Sequence, residues 1–575
     1  MKWLLITMCI IYAIQVSAFD FEVNRMYYDI VDSKAKTCKV VAGDLTYRND
    51  IVIPNVVEYD GTSYTVVGIG MAFSGNDRIT SITIPPTVTE LPSKSFEGCS
   101  KLKTLTIQDG VTALKVGSNG TKGEGFFFDC PIETVYLGRN LIYTFNTDYY
   151  LFPFYNVRTL NYVTFGENMT FIPELLFYRS GLKKLHIPQN IIEIKRHAFA
   201  YCDLLEEIDL GNSIECINAC AFNGCTSLKK VVIPNSIDNI ETCFIDCSSL
   251  EEVVLSNSIK YINRAFIGCE KLTSITVPNS VIEMIHAFVG CKNLRSVNVP
   301  ENIKDLNHTF EGCESLTELE VPNSVTNMEY AFSGCKKLKK VNISKSATNL
   351  SGAFHDCESL ENIEIPATVE DMSETFFNCK KLKSVFIPNS VTNMRSTFES
   401  CESLTEIEIP NSVTNMDATF VDCINLRKVN ISNSVTRLEY TFHGCKSLKK
   451  IEIPESIYEL GSYCFKGCDS LAVVRINKIK PPFFDYDSSG ESNGSFEREH
   501  YKNVKIEVPS GSLTNYNSSS WNSFKNIVEF TTTNINGIEA DRDNGPKVYY
   551  DMLGRKSDVP RRGLNIVNGK KILVK

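Results

Sequence analysis

The sequence repeats itself at a fixed spacing. Phenylalanine recurs at Phe222, Phe244, Phe266, Phe288, Phe310, Phe332, Phe354, Phe376, Phe398, Phe420 and Phe442, a 22-residue step throughout. Cysteine follows three residues after each one, at Cys225, Cys247, Cys269, Cys291, Cys313, Cys335, Cys357, Cys379, Cys401, Cys423 and Cys445. The bordering units take 23 residues, from Phe199 to Phe222 and from Phe442 to Phe465. Upstream, looser apolar cores sit at Ile79, Leu102, Ile132, Leu160, Leu182 and Leu205, giving about 18 turns between Ile79 and Ile476. A unit this short cannot bury its own apolar face, so it must stack on its neighbours; this predicts a solenoid. A second rhythm overlies the first: CESL at 313, 357 and 401 alternates with CKKL at 335 and 379, so the copies pair over 44 residues.

Each position of the unit has a physical task, seen in Leu272 to Cys291, LTSITVPNSVIEMIHAFVGC. Ile275 and Val277 alternate with Ser274 and Thr276, a period of two that marks a short strand with one buried face. Pro278 cannot donate to a ladder and stops the strand; Asn279 and Ser280 supply turn chemistry. Val281, Met284 and Phe288 return apolar groups to the interior. The residue before each cysteine is nearly always Gly, Asp or Asn, types that tolerate positive φ where the chain swings into the next strand. The residue before each phenylalanine is Ala, Thr or Cys, a slot that predicts close packing against the next coil. With strands about 4.8 Å apart, the array predicts a parallel sheet on the order of 85 Å long.

Composition narrows the function. Hydrophobic residues make up 43% and charged residues 22%, values of a folded chain. The net charge of −9 leaves no basic footprint for nucleic acid and no polybasic patch for anionic lipid. Lys2, the apolar stretch Trp3 to Val16 and the small residues Val16-Ser17-Ala18 read as a signal peptide, with Cys9 inside the apolar stretch. The mature chain is then expected to start at Phe19, to be exported to the cell surface or beyond, and to carry no transmembrane span.

The chemistry-bearing residues follow the period rather than cluster. The 21 cysteines could form disulfides in an exported chain, but one inward phase favours thiols packed as small hydrophobes. Cys216/Cys220, Cys243/Cys247 and Cys464/Cys468 are CxxxC pairs for which packing is again favoured over bridging or metal. His286 and His308 share a phase on adjacent turns, half a metal site at most, in a column otherwise occupied by Arg264, Tyr330, Gly352 and Glu374. Carboxylates two apart, such as Glu406 and Glu408, fall in the separation range of glycosidase acid pairs, but they recur without a pocket to split their pKa values. No catalytic residue, metal or cofactor is assigned. The outward strand positions form two columns that hold the candidate binding residues Glu318, Glu320, Lys340, Glu364, Phe386, Glu406, Glu408, Lys428, Lys450 and Glu452. Cross-strand pairing of Glu with Lys would account for the charge alternation. It would not account for an outward Phe386, an aromatic amid polar neighbours.

The arrangement LxxIxIPxxVxxIxxxAFxxCxxL, clearest in Leu205 to Leu228 with Gly211 at the usual proline, resembles the leucine-rich repeat subtype of BspA-like bacterial surface proteins. The strict 22-residue units lack one residue between the Met/Leu column and the phenylalanine. The opening FEVNRMYYDIVDSKAKTCKVV looks like the β-rich N-terminal cap of such proteins, and residues 506–530 are similar to their final capping unit. The tail from Val548 looks like a short relative of the C-terminal sorting segment of exported Bacteroidetes proteins. The resemblance implies an α/β solenoid: a parallel sheet on the concave face, short helical or 3-10 turns opposite, and β-rich caps. The domains expected are a signal peptide at 1–18, a cap at 19–70, repeats at 71–480, a C-terminal capping unit at 481–530, a linker at 531–545 and a tail at 546–575. The function implied is non-catalytic adhesion to a host-derived or other partner protein or glycan. The alternative is a structural spacer or surface-layer component with no specific ligand.

Overall fold

A computed structural model of the protein describes residues 19–43, 46–117, 126–127, 129–143, 152–484 and 494–531, and backbone strands at Tyr549–Asp551, Lys556–Ser557, Gly563–Val567 and Lys570–Val574. The expected leader at 1–18 with Cys9, residues 118–125 of the repeats, residues 485–493 of the expected C-terminal capping unit and the linker after Thr531 lie outside the described residues. The chain divides into two compact units, Met1–Val528 and Glu529–Lys575.

The first unit opens with antiparallel pairing: Phe21–Val23 with Met26–Asp32, Met26–Asp32 with Thr37–Val41, and Val56–Tyr59 with Thr62–Ile69. From Thr37–Val41 against Thr62–Ile69 onward the pairing becomes parallel. The next sheet runs Asn49–Val52, Ile79–Ile84, Thr104–Ile107, Thr134–Arg139 and Tyr162–Asn168, each strand one coil beyond the last. In the strict repeats, where strands of neighbouring coils pair, they do so in register and in parallel, as at Lys230↔Glu252, Glu318↔Lys340 and Glu406↔Lys428. This is the leucine-rich-repeat solenoid with a parallel sheet. Between Ser274 and Val429 the ladder closes only within pairs of coils: 274 with 296, 318 with 340, 362 with 384, and 406 with 428. The 44-residue rhythm of the sequence is therefore a rhythm of strand pairing.

Opposite the sheet there are single i→i+3 turns, for example Ala287 N donating to Met284 O at 3.0 Å and Cys291 N to Phe288 O at 3.1 Å. These have the 3-10 hydrogen-bond spacing but do not extend into helices. Coils are joined there by a second backbone seam, in which Phe288 N donates to Thr309 O at 3.0 Å and Phe310 N to Ala331 O at 2.9 Å. The chain then turns in the left-handed region, at φ 71° in Gly290 and 57° in Asp246.

The core is a stack of rings. The phenylalanines from Phe222 to Phe442 are all 0% exposed. Successive rings lie nearly parallel: Phe222 and Phe244 have centroids 5.5 Å apart and planes at 3°, Phe398 and Phe420 5.8 Å and 4°. That is offset stacking, set by the coil spacing. The stack ends against Phe496, which meets Trp521 and Phe524 edge-on. Each thiol of the cysteine column donates to the phenylalanine carbonyl of the preceding coil, for example Cys423 Sγ to Phe398 O at 3.0 Å and Cys269 Sγ to Phe244 O at 3.4 Å. The described cysteines are all free thiols. In the slot before phenylalanine, Thr375, Thr397 and Thr419 donate to the carbonyls of Leu350, Met372 and Met394 at 2.7–2.8 Å. The slot therefore accepts Ala or Cys, or a threonine whose hydroxyl bonds a carbonyl of the coil before, as in these three, or of its own coil, as Thr441 does with Glu439 O.

The second unit carries four antiparallel strands: Tyr549–Asp551 pairs with Lys556–Ser557 and with Gly563–Val567, which pairs with Lys570–Val574. No helix among the described residues is long and apolar enough to cross a membrane.

Candidate binding face

Because successive residues of a strand point to opposite sides, each coil offers the sheet surface two outward positions around one buried residue. In the first column Lys230, Glu252, Ser274, Ser296, Glu318, Lys340, Asn362, Ser384, Glu406, Lys428 and Lys450 stand exposed, and in the second Val232, Val254, Glu320, Glu364, Phe386, Glu408 and Glu452 do. The register brings Glu318 beside Lys340 and Glu406 beside Lys428, and sets Glu364, Phe386 and Glu408 in a row on consecutive coils. Phe386 is 79% exposed.

The charges of this face behave differently along its length. Near its start Lys230 pairs with Glu252 at 2.7 Å, Lys184 with Glu207 at 2.7 Å and His186 with Asp209 at 2.8 Å. Near its end Glu452 accepts from Asn477 Nδ2 at 2.6 Å, and Lys450 lies 4.0 Å from Glu507, which Arg475 also holds at 2.8 Å. Between them the side chains of Glu318, Glu320, Lys340, Glu364, Glu406, Glu408 and Lys428 form no ion pair or hydrogen bond among the described residues. Cross-strand pairing thus accounts for the outer coils but not for the central ones, where in-register Glu and Lys stay apart. The one-coil step does allow such pairs elsewhere in the unit: in the column just after the cysteines Lys292 meets Glu270 at 2.6 Å and Lys336 meets Glu314 at 3.0 Å, and in the column before the strand Lys383 meets Glu361 at 2.7 Å.

Asparagines of the second column close the strand pairs. Asn298 donates through Nδ2 to Val277 O at 2.7 Å and accepts from Val277 N at 2.8 Å. Asn342 does the same with Val321, at 3.0 and 2.9 Å, and Asn430 with Ile409, at 2.8 Å for both bonds. In the fourth pair, 362 with 384, the position is Phe386, and the backbone N–H and C=O of Ile365 have no hydrogen-bond partner among the described residues. The alternation of Asn with Glu in the second column was the sequence signal for these clasps, and periodicity alone does not reveal their role.

Two shallow troughs lie on this stretch. One of about 1190 Å³ is lined by Ser296, Asn298, Glu318, Glu320 and Lys340 among others. A second, of about 680 Å³, is lined by Asn362, Glu364, Ile365, Ser384 and Phe386. These are open surfaces rather than enclosed pockets, so the carboxylates have no water-excluded site of the kind general acid–base chemistry uses. Elsewhere, the rings of His286 and His308 stack at 4.7 Å and 13°, continuing onto Tyr330, whose hydroxyl donates to Glu374 at 2.7 Å. Parallel stacking keeps the two imidazoles from converging their nitrogens on a shared ion.

Two features escaped the sequence reading. The column of His286, His308 and Tyr330 is left-handed, at φ 54°, 51° and 48°, and so are Thr242 and Glu374. Side-chain type gives no hint of this; the cause is the seam, where His308 N donates to Glu329 O at 2.9 Å. Arg139 is fully buried and donates to the carbonyls of Pro85, Pro86 and Val88 at 2.8 Å, with no carboxylate partner among the described residues.

Comparison with known proteins agrees with this geometry. A family model described as the BspA type leucine rich repeat region (6 copies) matches in overlapping stretches, 68–204, 123–242, 193–309, 241–352, 306–418, 374–490 and 439–541. No curated protein matches. Among solved structures, a leucine-rich repeat protein from Bacteroides ovatus is 23% identical, covering 80% of this chain and 100% of its own at a TM-score of 0.42. A leucine rich cell surface protein from Faecalibacterium prausnitzii is 20% identical over 84% and 99% of the two chains, at 0.27. A leucine-rich repeat protein from Eubacterium ventriosum is 18% identical over 82% and 97%, at 0.26. With the family model running through every coil from Gly68 to the last strands of the stack, the chain belongs to the BspA-type leucine-rich repeat family.

Proposed function

We propose that the protein is an exported, non-catalytic adhesion protein that captures a partner protein or glycan on the strand-lined face of its solenoid. The observation that carries this reading is the central stretch from Glu318 to Lys428. Charged side chains that have neighbours within reach remain uncommitted there, around an exposed aromatic ring. An aromatic anchor rimmed by polar groups is the usual make-up of a binding hot spot. Many modest contacts along one rigid face sum into useful avidity. The cell-surface description of the Faecalibacterium relative fits the same reading.

The test is an array of purified extracellular-matrix proteins and glycans probed with the chain and with a variant carrying Phe386→Ala, Glu406→Ala and Glu408→Ala. Capture should fall by about tenfold or more, with an unchanged circular-dichroism spectrum. Unchanged capture would move the site to another surface.

A further inference from the structure

We propose that the coil step at Phe386 is a seat for an extended, basic peptide segment of the partner. This rests on the adhesion reading and names the ligand class for it. In three of four strand pairs an asparagine carboxamide satisfies the N–H and C=O of a single residue in the coil before. A carboxamide is a peptide group in miniature, and an extended strand offers the same donor and acceptor from one residue. At the fourth pair the carboxamide is replaced by Phe386, and Ile365 presents both backbone groups beside the 680 Å³ trough. The steps on either side, Ile343 before Glu364 and Ile387 before Glu408, carry no clasp either, so three consecutive steps lie open. Peptides that add to exposed sheet backbone use these groups for affinity and side-chain pockets for choice.

The surroundings specify the side chain. Phe386 is flanked along its column by Glu364 and Glu408, with Glu406 one coil on in the first column, and none of the three carboxylates has an ion-pair partner among the described residues. A guanidinium or ammonium over the ring would meet its negative face and two or three carboxylates at once. An acidic or purely apolar segment would meet only repulsion or uncompensated charge.

The experiment pans a displayed decapeptide library on the full chain, with Phe386→Asn as the counter-selection. That substitution restores the residue that clasps the other pairs, so it should fold at least as well, seal the seat and lower peptide affinity about tenfold or more. Selected peptides should carry Arg or Lys, weaken as salt rises, and lose about tenfold on N-methylation of one central amide. Glu364→Gln with Glu408→Gln, which leaves the seat open, should remove the basic preference. Peptides that bind the wild type and Phe386→Asn equally overturn the seat. So do peptides that withstand N-methylation at every position, or a glycan that alone discriminates the two proteins. Binding lost instead on Glu318→Gln with Lys340→Met leaves the strand face as the adhesive surface without this seat. Binding indifferent to all these changes overturns both readings.

Discussion

Thr242 holds a branched side chain at φ 61° because its N–H must reach Asn263 O, 3.0 Å away in the next coil. Left-handed backbone costs a non-glycine residue roughly 1–2 kcal/mol, and glycine returns part of that as unfolded-state freedom. Thr242→Gly is therefore expected to stabilise the repeats by about 0.5–1 kcal/mol, read as a higher urea midpoint. Gly290→Ala at φ 71° should do the reverse by a similar amount, for conformational reasons alone, since the nearest atom to an added Cβ is 3.8 Å away. Arg139 makes the opposite kind of case. Its guanidinium holds carbonyls that nothing else among the described residues satisfies with side chains, and burial pushes its pKa down to about 10, so it remains charged at neutral pH. Arg139→Met would strand the Pro86 and Val88 carbonyls, each worth about 1–3 kcal/mol when unpaired, while Pro85 O keeps the backbone N–H of Val88 at 3.2 Å. A loss of about 3 kcal/mol is expected, detected as faster amide exchange at Thr87, Val88 and the neighbouring strands. Neither residue type announces its role in the sequence: a left-handed threonine looks like any threonine, and an isolated arginine reads as surface.

At the scale of the element, the thiols of the cysteine column all share one environment. Desolvation raises the thiol pKa of every member from Cys225 to Cys445 above the ordinary value near 9. The folded state thus prefers the protonated thiol. That stability is fully present below the unfolded pKa near 9 and is lost as the pH rises above it toward the folded values. Each thiol contributes roughly 1–2 kcal/mol per pH unit in that window, so eleven of them reach the order of 10 kcal/mol, the whole stability of a typical domain. Cooperative alkaline unfolding is expected between about pH 9 and 10.5, with thiols that resist Ellman's reagent at pH 7 reacting together. Cys313→Ala with Cys335→Ala should lower stability at pH 7 by a few kcal/mol yet flatten the alkaline slope. An unaltered slope would show that the column is not what titrates. The inward phase of these cysteines was legible from spacing alone; their hydrogen bonds to the phenylalanine carbonyls of the coil before were not, because the partner lies 25 residues away and carries no side-chain signature.

At the scale of the molecule, the period made the coil stack, the parallel register and the ring core readable before any coordinates, because each repeated residue has one neighbour a fixed number of residues away. The candidate face was readable as two columns but not as three stretches. Lys230 meets Glu252 while Glu318 and Lys340 stay apart although both pairs sit in closed register, so the difference lies in the rotamers, which a column of letters does not encode. The 44-residue rhythm is where sequence and assembly meet most directly. If coils come in clasped pairs, the pair and not the coil is the unit that can be removed. Deleting residues 270–313 takes out one whole period. It brings Cys269 against Glu314, and keeps an asparagine-bearing coil after each partner that it clasps. Ellipticity per residue and the urea midpoint should change little, since each coil in a solenoid interacts with its nearest neighbours alone. Deleting 11 residues from the same region would instead turn a strand onto the phenylalanine phase and is expected to unfold the repeats. The 44-residue deletion also separates adhesion from mere reach: it leaves Glu364, Phe386 and Glu408 in place, so a partner held there should be bound with unchanged affinity by a shorter protein.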